Sequence, residues 1–233
     1  MAKVFIITGT RKGIGKQLAE YYLSQGHIVI GCSRGSASIE HENYEHFSLD
    51  VSDESAVKKM GRAVKKAHKR IDVLLNNAGI AAMNHIITTP YTQAKTVFDT
   101  NFFGTFLLTR EVAKVMIKQK SGKIVNYSTV AVPLRLKGEA IYAASKAAIE
   151  NFTQVSAHEL GEFGITVNAI GPTPVPTDLI KNVPQDKLDI LLDKQAIRRF
   201  GKFEDILNVI NFFIDDKSHF VTGQVIYLGG VTG

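Results

Sequence analysis

The sequence predicts an α/β fold: a doubly wound parallel sheet with helices on both faces. Two features predict it. Short, continuous β-branched apolar runs such as VFIIT (Val4–Thr8) alternate with helical patterns along the whole chain, and the first run ends in a glycine-rich turn that opens a helix. Unbroken apolar runs suit strands buried on both faces, and their alternation with helices predicts right-handed βαβ units.

The first strand is Val4–Thr8, followed by a helix over Ile14–Gln25 and a second strand over His27–Cys32. The next stretch, Arg34 to Glu45 (RGSASIEHENYE), is too short and polar for a full crossover helix, so the crossover after the second strand is read as a shortened loop with at most one helical turn. The third strand, Glu45–Leu49, leads to a helix over Asp53–Lys69, with Ser52-Asp53 placed to cap it. That helix carries the densest basic run, KKMGRAVKKAHKR. Its spacing turns Val57, Met60, Val64 and either Ala67 or His68 inward and the charges outward. With no aromatic residues interleaved, this is a solvated face rather than a nucleic-acid surface. Strand Val73–Asn76, helix Thr92–Lys120, strand Lys123–Tyr127, helix Tyr142–Phe163 and strand Thr166–Ile170 follow. A substrate lid is expected over residues 178–199, with apolar Leu179, Ile180, Val183, Leu188, Leu191 and Leu192, before helix Phe203–Asp215 and strand Val225–Leu228. No linker, repeat or low-complexity tract interrupts residues 1–233, so one domain is expected.

Composition narrows the function. Hydrophobic residues make up 45% of the chain, enough for a large core. The single cysteine, Cys32, rules out an internal disulfide framework and sits in an apolar run as a small buried hydrophobe. Lys3 is followed at once by VFIITGT, too short for a signal-peptide core, and no apolar run reaches the ~18 residues of a membrane span, so a cytoplasmic protein is expected. The net charge of +6 suits acidic small molecules or an acidic carrier protein.

The turn after the first strand reads Thr8-Gly9-Thr10-Arg11-Lys12-Gly13-Ile14-Gly15. Its glycines permit a tight turn and close approach of a diphosphate, and the helix that follows offers free N–H groups and a positive dipole end. This is a variant of the Rossmann dinucleotide fingerprint. An ATP-binding loop fails on spacing, because five residues rather than four separate Gly9 from Gly15-Lys16, and Gln17 stands where a magnesium-binding Ser or Thr is needed. The second strand ends in Cys32-Ser33-Arg34, with no acid for a ribose 2′-hydroxyl, and Arg11 and Lys12 add positive charge. A guanidinium fork suits a 2′-phosphate, so the cofactor predicted is NADP(H).

These pieces continue in an ordered set: Asp50-Val51, Asn76-Asn77-Ala78-Gly79, Asn101, Tyr142-x-x-x-Lys146, Asn168-Ala169-Ile170, Thr177-Asp178 and Thr222-Gly223. The set resembles the short-chain dehydrogenase/reductase family across essentially the whole chain, close to its 3-oxoacyl-[acyl-carrier-protein] reductases. The resemblance implies that Gly9 to Gly15, Ser33, Arg34, Asp50, Val51, the backbone of Asn77, Ala78 and Gly79, and Pro172, Val175 and Thr177 bind the cofactor. It implies that Tyr142 gives a proton to the carbonyl oxygen while hydride reaches the carbon. It further implies that Lys146 holds the nicotinamide ribose, that Asn101 holds a water in a proton relay, and that the chain forms a homotetramer through the helices carrying Asn101 and Tyr142.

Tyr142 and Lys146 share one helix face at i and i+4. A free phenol titrates near 10, and bringing it near neutrality requires ~4 kcal/mol of preference for phenolate, expected from the Lys146 ammonium and the oxidised nicotinamide. The family usually has a serine thirteen residues before the tyrosine. Here that position is Thr129, with Ser128 adjacent as the alternative. Pro172-Thr173 replaces the usual Pro-Gly, and Pro174 and Pro176 stiffen that loop. The resemblance implies a 3-oxoacyl thioester on an acyl carrier protein as substrate. Lys118, Lys120 and Lys123 are candidates for the carrier contact, although Phe163 stands where such reductases often carry a basic residue. The alternatives are a specialised ketone or alcohol oxidoreductase and a non-catalytic NADP(H)-sensing protein. No metal site is expected.

Overall fold

The structure is a computed structural model that describes residues 2–177 and 183–232. Seven parallel strands form one sheet in the order β3-β2-β1-β4-β5-β6-β7. In chain order these are β1 (Val4–Thr8), β2 (Ile28–Ser33), β3 (Tyr44–Ser48), β4 (Val73–Asn76), β5 (Gly122–Tyr127), β6 (Ile165–Gly171) and β7 (Val225–Tyr227). The helices are α1 (Gly13–Ser24), α2 (Glu54–His68), α3 (Tyr91–Phe98), α4 (Gly104–Gln119), the single turn α5 (Ala131–Leu134), α6 (Ala140–Leu160), α7 (Gln185–Asp193) and α8 (Phe203–Ile214). Among the described residues, no helix is long and apolar enough to cross a membrane.

Successive strand residues point to opposite faces, so each apolar run feeds two cores. Ile6, Ile30, Leu74, Ile124 and Val167 pack with Met60, Val64 and Met116 of α2 and α4. Phe5, Ile7, Val29, Leu75 and Val125 pack with Leu18, Tyr22, Ile206 and Phe213 of α1 and α8. Cys32 is fully buried in the first of these layers, and burial pushes its thiol up to about 12.

The crossover from β2 to β3 contains no helix, as its polar text predicts, and only Ile39 within it is buried, against the α1 layer. Helix α2 turns Val57, Met60 and Val64 inward, with His68 more enclosed than the exposed Ala67. The predicted cap is present: the Asp53 carboxylate accepts from Ser55 N and Ala56 N at 2.9 and 3.1 Å.

Two predicted elements differ. The helix expected over Thr92–Lys120 is interrupted by a π turn, Asp99–Phe103, centred on buried Asn101. Thr105 Oγ1 donates to the Asn101 carbonyl at 2.7 Å, and such turns recur where a side chain must be re-aimed. The lid expected over residues 178–199 contains helix α7, whose Leu188 and Leu191 are buried. The lid residues Leu179 and Ile180 lie outside the described residues.

The chain winds from β1 through β2 to β3, then returns beside β1 with β4 and continues the other way. This reversal opens a crevice beyond the C-terminal ends of β1 and β4, where doubly wound sheets bind ligands. Asp53 is exposed on the α2 end and lines neither cavity of that crevice. Asp53→Ala should lower unfolding stability by about 1 kcal/mol in a urea titration and leave ligand affinity unchanged.

Candidate active site

The crevice holds two adjoining cavities. The outer one, of about 510 Å³, runs from the glycine turn past the end of β2 to Asp50 and Val51. The inner one, of about 160 Å³, is lined by Thr129, Glu139, Tyr142 and Lys146 together with Pro172, Val175 and apolar side chains including Val130 and Leu191. Ile14, Asn77, Gly79 and Thr177 line both, so a ligand long enough to occupy one can reach into the other.

The glycine turn is shaped by close packing. Gly9 has φ +77°, and a Cβ there would sit 2.9 Å from Asn77 Nδ2. At Gly15 a Cβ would meet Gly9 O and Asn77 Nδ2 within 2.4 Å, so only hydrogen fits. Gly13, at φ +61°, has open space where a Cβ would project. The N-cap residue Lys12 makes no side-chain cap and no acid stands in the first turn of α1, whose positive end faces the cavity. Gly9, Arg11, Lys12, Gly13 and Ile14 line the outer cavity, whereas Thr10 and Gly15 support it from beneath. Thr10 is fully buried, and its hydroxyl pairs with Tyr44 OH at 2.8 Å.

At the end of β2, Ser33 and Arg34 line the outer cavity. The Arg11 guanidinium lies against Gly35, where a Cβ would come within 2.8 Å of it. Arg11 and Arg34 are therefore brought together at one rim, with no acid at the strand end. Ser33 Oγ donates to Gly35 O at 3.0 Å and pairs with His46 Nε2 at 3.1 Å, which fixes the loop below them. Asp50 accepts from Ser52 N and Oγ at 2.9 and 2.7 Å. Although burial opposes it, these bonds and the Arg34 charge hold the Asp50 carboxyl below the ordinary carboxylate range.

Asn76, Asn77 and Ala78 bind the sheet together around the crevice. Asn77 Nδ2 donates to Thr8 O at 2.9 Å, and Ala78 N to Thr8 Oγ1 at 2.8 Å. Beneath them, Asn76 Nδ2 donates to Asn126 Oδ1 at 2.8 Å, and Asn126 Nδ2 to Thr153 Oγ1 at 2.9 Å, linking β4, β5 and α6 through buried polar groups.

Asn101 lines neither cavity but reaches both walls. It exchanges hydrogen bonds with the Ile80 backbone at 2.8 and 3.0 Å and donates to Ser145 Oγ at 3.0 Å. Ser145 Oγ donates in turn to Tyr142 O at 2.7 Å. A Cβ at Gly79 would lie 3.3 Å from Asn101 Oδ1 and 3.5 Å from Lys146 Nζ, so these two groups converge on one glycine.

Tyr142 lies on the first turn of α6 and Lys146 one turn further on. Lys146 is buried and its Nζ donates to Tyr127 O at 2.7 Å; burial holds its ammonium down to about 8. The Tyr142 phenol is pushed up to about 12, first by burial and then by Glu139, while a hydrogen bond with Thr129 opposes both. The expectation that Lys146 lowers the phenol is thus not met by the polypeptide alone. Its ammonium is engaged by Tyr127 O, and the nearby carboxyl acts the other way.

The two hydroxyl candidates both line the inner cavity but differ in partner: Thr129 is the side chain that acts on the Tyr142 phenol, whereas Ser128 Oγ donates to Glu150, which also accepts from Tyr227 OH at 2.6 Å. Glu139 was not singled out by the sequence, although its place one helical turn before Tyr142 was a usable signal. The lysines expected at the cavity mouth are elsewhere. Lys123 starts β5, whereas Thr129 follows its other end, so roughly 16–20 Å of strand separates them. Lys118 and Lys120 precede that same far end.

Comparison with known proteins fits this geometry. A family model described as enoyl-(acyl carrier protein) reductase matches residues 9–232. The 3-oxoacyl-[acyl-carrier-protein] reductase FabG of Staphylococcus epidermidis is 32% identical, covering 99% of this chain and 98% of its own. FabG of Thermotoga maritima is 34% identical, covering 98% and 96%. Among solved structures, ElxO with NADP bound superposes with a TM-score of 0.90 at 30% identity, covering 99% and 98%. With the glycine turn, the switch-point crevice and the Tyr142–Lys146 face in one continuous site, the chain belongs to the short-chain dehydrogenase/reductase family of oxidoreductases.

Proposed function

We propose that this protein reduces a carbonyl to an alcohol with NADPH, and that its substrate is a 3-oxoacyl thioester carried on acyl carrier protein. The observation that carries the chemistry is the convergence of Thr129, Tyr142 and Lys146 in one inner cavity that opens directly onto a dinucleotide-shaped crevice. The acyl thioester is supported by the FabG relatives and by the apolar Val130, Val175 and Leu191 in the cavity wall.

The residues fit the cofactor. Gly9, Gly13 and Gly15 leave room for a diphosphate at the uncapped start of α1, and Ser33, Arg34, Arg11 and Lys12 offer a basic cradle for a 2′-phosphate. Asp50 and Val51 bound the adenine end, and Pro172, Val175 and Thr177 the nicotinamide end. When bound, NADPH supplies the hydride. Thr129 and Tyr142 hold the substrate oxygen, and the phenol delivers the proton as negative charge develops there. Lys146 orients the ribose, and Asn101 positions the relay that reprotonates Tyr142. Because the phenol lies high in the polypeptide alone, it is a proton donor at rest. Oligomerisation is supported by Phe103 and Val155, both 47% exposed on the helical segments that carry Asn101 and Tyr142, and a homotetramer is the proposed assembly.

Tyr142→Phe should retain NADPH binding and lose turnover by at least a hundred-fold. Thr129→Ala should lower kcat by roughly ten- to a hundred-fold, whereas Ser128→Ala should change it less than three-fold. Steady-state kinetics with acetoacetyl thioester measures both, and a larger loss in Ser128→Ala would reverse the assignment. Fluorescence titration with NADPH and NADH tests the cradle. Arg34→Ala should weaken NADPH at least ten-fold and leave NADH nearly unchanged, while Gly15→Ala should weaken both.

A further inference from the structure

Glu139 is a carboxyl inside the inner cavity that the proposed chemistry does not use. It sits three residues before Tyr142 and lines the same wall as Thr129 and Lys146. Its backbone is held on both sides: Ala143 N donates to Glu139 O at 2.7 Å, and Asn84 N to Gly138 O at 2.8 Å, where Gly138 turns the chain at φ +87°. Among the described residues, no hydrogen bond or ion pair engages its carboxyl, and it caps no N–H group of α6. Among the described residues, the titratable groups lining this cavity are Tyr127, Glu139, Tyr142 and Lys146, and the Lys146 ammonium is bonded to Tyr127 O.

An unpartnered carboxyl in an apolar wall is costly as an anion and acceptable as a neutral acid. Charge beside Tyr142 would also oppose the negative charge that builds on the phenol when it gives up its proton. Burial pushes Glu139 up to about 7, so below that pH it keeps its proton and presents an O–H to the cavity. Thr129 and Tyr142 already serve the reacting oxygen, so this additional donor faces a different acceptor.

We propose that Glu139 determines specificity by donating a hydrogen bond to a second carbonyl of the substrate, placed 1,3 to the one reduced, so that the site prefers 3-oxoacyl compounds to simple ketones. This rests on the ketoreductase reading above and adds the group that recognises the acyl carbonyl. The sign with pH follows. Below about 7 the neutral acid donates; as pH rises through that value, the carboxylate loses its donor and repels the carbonyl oxygen.

The test compares kcat/KM for acetoacetyl-N-acetylcysteamine, ethyl acetoacetate and cyclohexanone in the full-length enzyme, Glu139→Gln and Glu139→Leu, from pH 6 to 8.5. Taking each 1,3-dicarbonyl as a ratio to cyclohexanone cancels the titration of Tyr142 and Lys146, which all three substrates share. The ratio should fall with rising pH in the unmodified enzyme. It should stay high and flat in Glu139→Gln, whose amide donates at every pH, and should be lower by roughly ten-fold in Glu139→Leu. Equal losses on all three substrates in Glu139→Leu, or a pH-dependent ratio that persists in Glu139→Gln, would overturn the proposal and leave the ketoreductase reading intact. Turnover of ethyl acetoacetate with the Glu139 pattern but none of the thioester would sink the acyl-thioester reading and leave the proposal standing. An unmodified enzyme that turns over cyclohexanone as well as the dicarbonyls, or that reduces none of the three, would overturn the proposal.

Discussion

The site depends on how Thr8 is joined to the start of the loop after β4. Thr8 O and Oγ1 accept from Asn77 Nδ2 and Ala78 N at 2.9 and 2.8 Å. These bonds bridge the two strands between which the winding direction reverses. They extend the β1–β4 ladder, whose last pair is Ile7 with Leu75, into the loop that floors the crevice. The same Asn77 side chain stands where a Cβ on Gly9 or Gly15 would go, so the glycine turn and the Asn77 segment constrain each other. A two-point bond across a topological switch sets both the width of the cleft and the residue types that can line it.

From that frame the inner cavity is built by indirect support. The π turn at Asn101 rotates its side chain onto Ile80 and Ser145, and Ser145 fixes the Tyr142 backbone carbonyl. The Asn76–Asn126–Thr153 ladder holds β4, β5 and α6 together behind it. Buried polar chains of this kind are demanding of geometry, because each unpaired member is costly, and in this one Asn76 Oδ1 is buried with no partner among the described residues. They hold Thr129 at the end of β5 against the phenol of α6.

Much of the site was legible in the sequence because its chemistry follows short spacings. The glycines at 9, 13 and 15, the i and i+4 relation of Tyr142 and Lys146, and Thr129 thirteen residues upstream all survive in the fold. The shortened crossover after β2 was legible because its polar text offers no face to bury. The break in the helix at Asn101 was not legible, because a π turn adds one residue without changing the apolar period enough to notice. Lys118, Lys120 and Lys123 were misplaced because nearness to Thr129 in sequence is not nearness in space when a whole strand runs between them.

The sequence by itself determined the layer architecture, which follows from local periodicity and residue type, and its ordered motifs pointed by resemblance to Tyr142 and Lys146; the strand order came only with the sheet. The tertiary structure separated the two hydroxyls by their partners, since Ser128 is engaged by Glu150 of α6 while Thr129 acts on the phenol, and only the packing of α6 against β5 brings those partners into reach. It also decided the charge state around Tyr142. Sequence spacing suggested a lysine that lowers the phenol, but burial and the Glu139 carboxyl push it up, and the Lys146 ammonium is engaged by a carbonyl. Electrostatic environment depends on what fills the space between groups, and that is fixed only when the elements pack.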